Sequence, residues 1–215
     1  ENCINNADIT GFNMVGGIVG FNVSEISNCE NHGEISITGT SYSYGGAGGI
    51  IGSRCENIKK CVNTGEIKGS VTAGIIGAES GTESEKIIDS CINMGKSSSG
   101  ICDKQTNKSV KILNCYNLGE CQNSGILGKM SGGDNNKDFI LSIYNSYNLG
   151  KTSKAGIIDT IGNVAKSMEV NIENVYNSGE CTSAIIDTIS NKQKATINIK
   201  NVYYNSDFSQ KIGAT

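Results

Sequence analysis

The sequence predicts an all-β chain wound as a right-handed parallel β-helix, a β-solenoid of about seven coils. Three observations predict it. A phrase of the type Asn-Cys-x-Asn-x-Gly recurs as NCINNA (2–7), NCENHG (28–33), KCVNTG (60–65), SCINMG (90–95), NCYNLG (114–119), NSYNLG (145–150) and NVYNSG (174–179), and a degenerate NVYYNS (201–206) closes the series. Two unbroken isoleucine columns run beside it, one at Ile26, Ile58, Ile88, Ile112, Ile143, Ile172 and Ile199, the other at Ile18, Ile50, Ile75, Ile101, Ile126, Ile157 and Ile185. Finally, the chain has 28 Gly and no Pro, and no apolar i, i+3, i+4, i+7 pattern persists in it, so the helical period is missing.

A repeat of about 28 residues is one coil, and stacked coils bring like residues together at the ordinary strand spacing of ~4.8 Å. Each column then has one fate. β-Branched Ile suits a pleated, buried surface, and right-handed winding follows the rule for parallel crossovers. Alternation directs inward the second residue of the phrase, its Asn (5, 31, 63, 93, 117, 148, 177), its Gly, and the series Ile9, Ile35, Ile67, Ser97, Cys121, Thr152 and Cys181. The Asn amides are expected to bond to one another at a corner and to satisfy backbone groups there. Outward go the row Asp8, Glu34, Glu66, Lys96, Glu120, Lys151 and Glu180 and the column Ile4, Glu30, Val62, Ile92, Tyr116, Tyr147, Tyr176 and Tyr203. A second phrase, GGIVG (16–20), GGIIG (48–52), AGIIG (73–77) and SGILG (124–128), reads as a corner followed by a strand, the glycine allowing a sharp bend or close backbone approach. It decays to SGICD (99–103), AGIID (155–159) and SAIID (183–187).

Composition agrees with a narrow rod. Hydrophobic residues make up 37% of the 215, little for a compact core but enough for a few inward columns. With 18 Lys and Arg against 21 Asp and Glu and no basic stripe, no nucleic-acid partner is expected. No run approaches the ~18 apolar residues of a membrane span, so no membrane insertion is expected of this segment. Residues 1–206 are expected to form one solenoid domain and 207–215 a C-terminal cap or linker. The chain opens inside a coil, which predicts further coils upstream and a monomer within a longer, multidomain protein. The loop after the Gly-Ile strand lengthens along the chain, and a separate insertion decorates residues 36–47; insertions gathered at one corner make a ledge.

The phrases Gly17-Ile18-Val19-Gly20, Gly49-Ile50-Ile51-Gly52, Gly74-Ile75-Ile76-Gly77 and Gly125-Ile126-Leu127-Gly128 resemble the GLUG repeat of bacterial surface proteins, and NCYNLG is similar to the spacer between such repeats. The present chain uses Ile where that repeat has Leu. The resemblance covers residues 2–206. It implies an extracellular or surface-exposed role in adhesion or spacing, with no catalytic residues to carry over. The zinc motif H-E-x-x-H of some peptidase relatives is absent, His32 being the single histidine.

Four groups of residues are candidates for chemistry. The cysteines at 3, 29, 61, 91 and 115 share a column with Ser146, Val175 and Val202, an interchange that predicts core packing; no cofactor is expected. Tyr116, Tyr147, Tyr176 and Tyr203, with Met94, Leu118 and Leu149 on the same face, are expected to present a glycan- or protein-binding ladder. Asp103, Asp159 and Asp187 share a column, and Asp159 with Asp187 on adjacent coils is the pair that an alternative, a carbohydrate-active β-helix enzyme, would use; no Lys or Arg partner is apparent at matching positions of those coils. Asp134-x-Asn136-x-Asp138 has the first half of an EF-hand spacing without its Gly and closing Glu, which makes it a weak calcium candidate. A purely structural stalk is the remaining alternative.

Overall fold

The computed structural model describes residues 1–39, 45–80, 85–132, 137–164, 166–190, 194–205 and 210–212, and among them every strand pairing is parallel and no α-helix occurs. Seven register steps carry Ile4 to Glu30, Val62, Ile92, Tyr116, Tyr147, Tyr176 and finally Tyr203. The fold is therefore the expected β-solenoid, each step advancing one repeat. One side of the rod is a short sheet of Ile9–Gly11, Ile35–Ile37 and Ile67–Lys68. A second stacks Val15–Gly16, Ala47–Gly48, Thr72–Ala73, Ser97–Ser99 and Cys121–Ser124. The remaining strands form one continuous sheet that bends around the rod and contains the longest segments, such as Ile51–Lys59 and Ser167–Asn177. At the C-terminal end Gln210–Ile212 pairs with Ser183 and Ile186 as a further rung.

Both isoleucine columns lie in the core. Ile26, Ile58, Ile88, Ile112, Ile143 and Ile172 are buried in mutual register, and Ile199 is 42% exposed because its rung is the last of that face. Each buried Ile contributes roughly 1.5–3 kcal/mol. Strict alternation fails at the second phrase: Ile50 and Ile51 are both fully buried, as are Ile75 with Ile76 and Ile157 with Ile158. The chain turns between the two residues, so each faces the interior from its own side of the corner.

The asparagines form an uninterrupted amide ladder. Nδ2 of Asn5 donates to Oδ1 of Asn31 at 2.7 Å, and the bond repeats from Asn31 to Asn63, Asn93, Asn117, Asn148 and Asn177 at 2.7–2.9 Å. The second N–H of each amide from Asn31 to Asn148 donates 2.9 Å to the carbonyl of the Gly two residues on. From Asn31 to Asn177 the residues are fully buried, so each amide has its donors satisfied where water cannot serve.

The ladder explains the glycines. A Cβ at Gly17, Gly49, Gly74, Gly100, Gly125 or Gly156 would fall 2.1–2.5 Å from the amide group of the ladder asparagine that begins the next coil. A Cβ at Gly65, Gly95, Gly119, Gly150 or Gly179 would sit 1.9–2.1 Å from the glycine carbonyl of the preceding coil. Close approach, more than turn flexibility, fixes these columns. In the coil that Asn177 opens the glycine column holds Ala184, and in the next the ladder position holds Tyr204, opposite Asn177.

The leading residue of the phrase also has a defined role. Asn2, Asn28, Lys60, Ser90, Asn114, Asn145, Asn174 and Asn201 all have φ between 50° and 57°, a left-handed corner that Asn tolerates better than most residues.

These contacts predict a contrast within one column. Gly74→Ala should lower the unfolding free energy by at least ~2 kcal/mol through overpacking against Asn93, and Asn93→Ala by about 2–4 kcal/mol through orphaned buried amides. Ala184→Gly, beyond the ladder, should cost under ~1 kcal/mol. Urea unfolding of the three variants checks this, and equal losses would contradict the assignment.

Candidate functional site

The phrase places its third residue between two buried neighbours, so the tyrosine column projects outward. Tyr116, Tyr147, Tyr176 and Tyr203 stand in register on consecutive rungs. The rings of Tyr116 and Tyr147 stack with centroids 4.1 Å apart and planes 18° from parallel, whereas Tyr176 and Tyr203 are exposed. The next outward column holds Met94, Leu118 and Leu149, each more than 40% exposed. Beyond it runs the charged row, in which Lys96 pairs with Glu120 at 3.4 Å and Lys151 with Glu180 at 2.7 Å along the axis, while Lys68, two residues past the row, reaches Glu34 at 2.6 Å and Glu66 at 3.6 Å. The result is an aromatic and aliphatic stripe bordered by self-neutralised charge. In the N-terminal coils the same columns carry Glu30, His32 and Thr64, which bond to one another: the His32 ring nitrogens lie 2.8 Å from Thr64 Oγ1 and 3.1 Å from Glu30 Oε2.

The aspartate column occupies the last position of the Gly-Ile phrase. Register sets Cys102 beside Leu127, then Ile158 and Ile186, so Asp159 and Asp187 do lie on adjacent rungs while Gly128 separates Asp103 from Asp159. Each carboxylate has a local partner. Asp103 accepts from Ser99 Oγ at 2.7 Å, Asp187 accepts from Ser183 Oγ at 2.7 Å and Thr188 Oγ1 at 3.2 Å, and Asp159 is ion-paired with Lys154 at 3.1 Å. Lys154 serves this column from outside the matching positions of the coils: it lies five residues before Asp159 and reaches it across the corner, a contact hidden from position-by-position comparison. Burial, reinforced by the charge of Asp159 and opposed by the Ser99 bond, pushes the Asp103 pKa up to about 7.

Asp134 and Asn136 of the calcium candidate lie outside the described residues. Asp138 is described: its carboxylate is ion-paired with Lys166 at 2.7 Å and accepts a hydrogen bond from Ser167, and the Lys166 ammonium holds its pKa below the usual value. Among the described residues no group of three or more His, Cys, Asp or Glu side chains is placed to hold a metal ion.

The cysteine column packs as expected at 29, 61, 91 and 115, which are buried, whereas Cys3 on the first rung is exposed; none of the nine cysteines is in a disulfide. Each of these four S–H groups donates 3.1–3.4 Å to the carbonyl two residues back, and Ser146 Oγ makes the same bond at 2.8 Å. That shared bond is why Ser replaces Cys here. Burial raises the pKa of Cys91, and an S–H bond with Cys91 followed by burial raises that of Cys61; protonated, buried thiols are inert.

One surface escaped the reading of the sequence. The left-handed corner asparagines form a second, external ladder: Nδ2 of Asn145 donates to Asn114 at 3.4 Å, Asn174 to Asn145 at 3.1 Å and Asn201 to Asn174 at 3.0 Å. Two hollows flank the adjoining column of Tyr144 and Glu173. The signal was present in the recurrent leading Asn, which alignment by the second residue treats as a mere flank.

Asp103 provides a pH test. Its folded pKa exceeds the unfolded value of 3.8. Below about pH 3 both states hold the proton and nothing is gained or lost; as pH rises towards 7 the unfolded chain ionises first and stability falls. Asp103→Asn should therefore be more stable than the parent at pH 8 by roughly 2–4 kcal/mol and equal to it at about pH 3. Unfolding curves at the two pH values measure it; a constant offset would refute the buried-carboxyl account.

Compared with known proteins, the chain matches no family model, no curated protein and no solved structure.

Proposed function

We propose that the chain is a non-catalytic repeat domain of a bacterial surface or secreted protein, and that it acts in adhesion by docking an extracellular protein on the stripe of Met94, Leu118, Leu149 and the four tyrosines. The observation that supports this is the stripe itself: apolar side chains of successive rungs stand exposed in register, side by side in two neighbouring columns. Contiguous exposed apolar surface marks interaction sites, and tyrosines and methionines are enriched at the cores of protein interfaces. A protein fits the stripe better than a sugar does. Tyr116 and Tyr147 spend facing ring surfaces on each other, and the leucine row offers no amide or carboxylate to a hydroxyl. The resemblance to GLUG repeats favours the same extracellular setting, where repetition of such domains along a longer chain raises avidity.

The carbohydrate-active alternative assigns turnover to Asp159 and Asp187, and the two readings separate in one pair of assays. Surface plasmon resonance over immobilised extracellular-matrix proteins should give saturable binding, weakened roughly tenfold or more by Leu149→Ser or Tyr176→Ala, as for truncation of an interface anchor. Incubation with polysaccharides should release no reducing ends. Turnover abolished by Asp159→Asn would replace this proposal with the enzyme, and failure in both assays would leave the rod a stalk.

A further inference from the structure

We infer that the paired hollows astride Tyr144 and Glu173 form a binding site for a short neutral oligosaccharide. Register aligns Leu113, Tyr144, Glu173 and Lys200 on successive rungs. On one side of that column lies a hollow of about 430 Å³, bordered by Asn171, Asn198 and Lys200. On the other side, a hollow of about 340 Å³ is bordered by Leu113 and the corner residues Asn114, Asn145 and Asn174. Tyr144 and Glu173 line both, so the two are halves of one groove.

The chemistry of its walls is that of polyol recognition. Asn198 Nδ2 donates to Asn171 Oδ1 at 2.9 Å and to Glu169 Oε1 at 3.3 Å, and Asn171 Nδ2 donates to Glu169 Oε1 at 3.1 Å. Opposite stands the external ladder of corner asparagines. An amide carries two N–H donors and two acceptor lone pairs, so Asn145, Asn171 and Asn174, which each donate once and accept once, still offer a donor and an acceptor to a hydroxyl, while Asn198, with both its bonds donated from Nδ2, offers its carbonyl oxygen. Rows of such amides repeat at the strand spacing of ~4.8 Å, close to the length of one extended hexose unit. They are held in place before any ligand arrives, which lowers the ordering cost of binding. Leu113 and half-buried Tyr144 supply apolar surface for the C–H face of a sugar ring.

Charge selects among ligands. The Lys200 ammonium bordering the groove is already bonded to Glu173 at 2.7 Å, and Glu169 adds a further carboxylate beside Asn171. An acidic glycan or a phosphate would meet carboxylates and an engaged ammonium, so the groove favours an uncharged chain. This inference rests on reading the chain as a non-catalytic binder, yet it uses different residues from the tyrosine stripe, and the two fail separately.

The test is a ¹⁵N-HSQC titration of the whole chain with cellotetraose, chitotetraose, xylotetraose and mannotetraose, with a hyaluronan tetrasaccharide as the acidic control. Saturable shifts confined to the signals of residues 113–114, 144–145, 171–174 and 197–200, from at least one neutral sugar, are expected. Asn198→Ala and Tyr144→Ala should each weaken that binding at least roughly tenfold, as when a hydrogen-bonding or stacking partner is removed. Leu149→Ser and Tyr176→Ala should leave it unchanged, and parent-like HSQC dispersion away from the groove in Asn198→Ala and Tyr144→Ala guards against loss through misfolding. No shifts with any neutral sugar, preference for the acidic one, or shifts on the tyrosine stripe instead would each overturn the assignment.

Discussion

A row of buried amides governs this molecule. Between Asn31 and Asn148 each ladder side chain donates to its successor and to its own coil's glycine carbonyl, so no rung can change independently. The constraint propagates outward from there. The glycines of the Gly-Ile phrase must lack Cβ because the amides lie against them, and the glycines of the Asn phrase must lack it because successive backbones touch. Isoleucine then fills what the amides leave. A rod of this kind can be lengthened by adding coils, but a coil that lacks its Asn or its Gly interrupts hydrogen bonds on both neighbours.

The same constraint explains where the repeat decays. Ala184 stands in the glycine column one coil after Gly156, and the ladder position of the coil that follows it holds Tyr204 rather than an asparagine. Asn177, the last ladder member, instead donates to the Ala184 carbonyl at 3.1 Å. The methyl group is tolerated where the ladder has ended. Substitution of Asp for the final Gly of the phrase has a different cause, since the carboxylates of Asp103 and Asp187 find a Ser four residues earlier and that of Asp159 finds Lys154.

Period and column identity were legible in the sequence because a parallel stack converts every repeated letter into a spatial row. The isoleucines, the Asn ladder, the thiol column and the paired charges could all be placed by counting. What counting could not supply was geometry around corners. It missed that two successive residues such as Ile50 and Ile51 both face inward, that Lys154 folds across to Asp159, and that the leading Asn occupies a left-handed turn and builds a ladder of its own. These depend on backbone direction changes within a coil, on which a column-by-column comparison is silent.

The isoleucine columns and the Asn ladder repeat from coil to coil, whereas the outward columns differ in a way that divides the rod. In the first three coils the column after the thiol holds Ile4, Glu30 and Val62, with His32 and Thr64 beside it; from the fourth onward the neighbouring column turns to Met94, Leu118 and Leu149 and then the first turns to tyrosine. The groove at Tyr144 and Glu173 lies in the same later coils. The thiol column changes to Ser146 and Val175 over this stretch without any break in burial, so the interior does not require the exterior to change. Packing does not demand this gradient, and the two contacts proposed above, the tyrosine stripe and the groove, both fall on the coils where it has changed the surface.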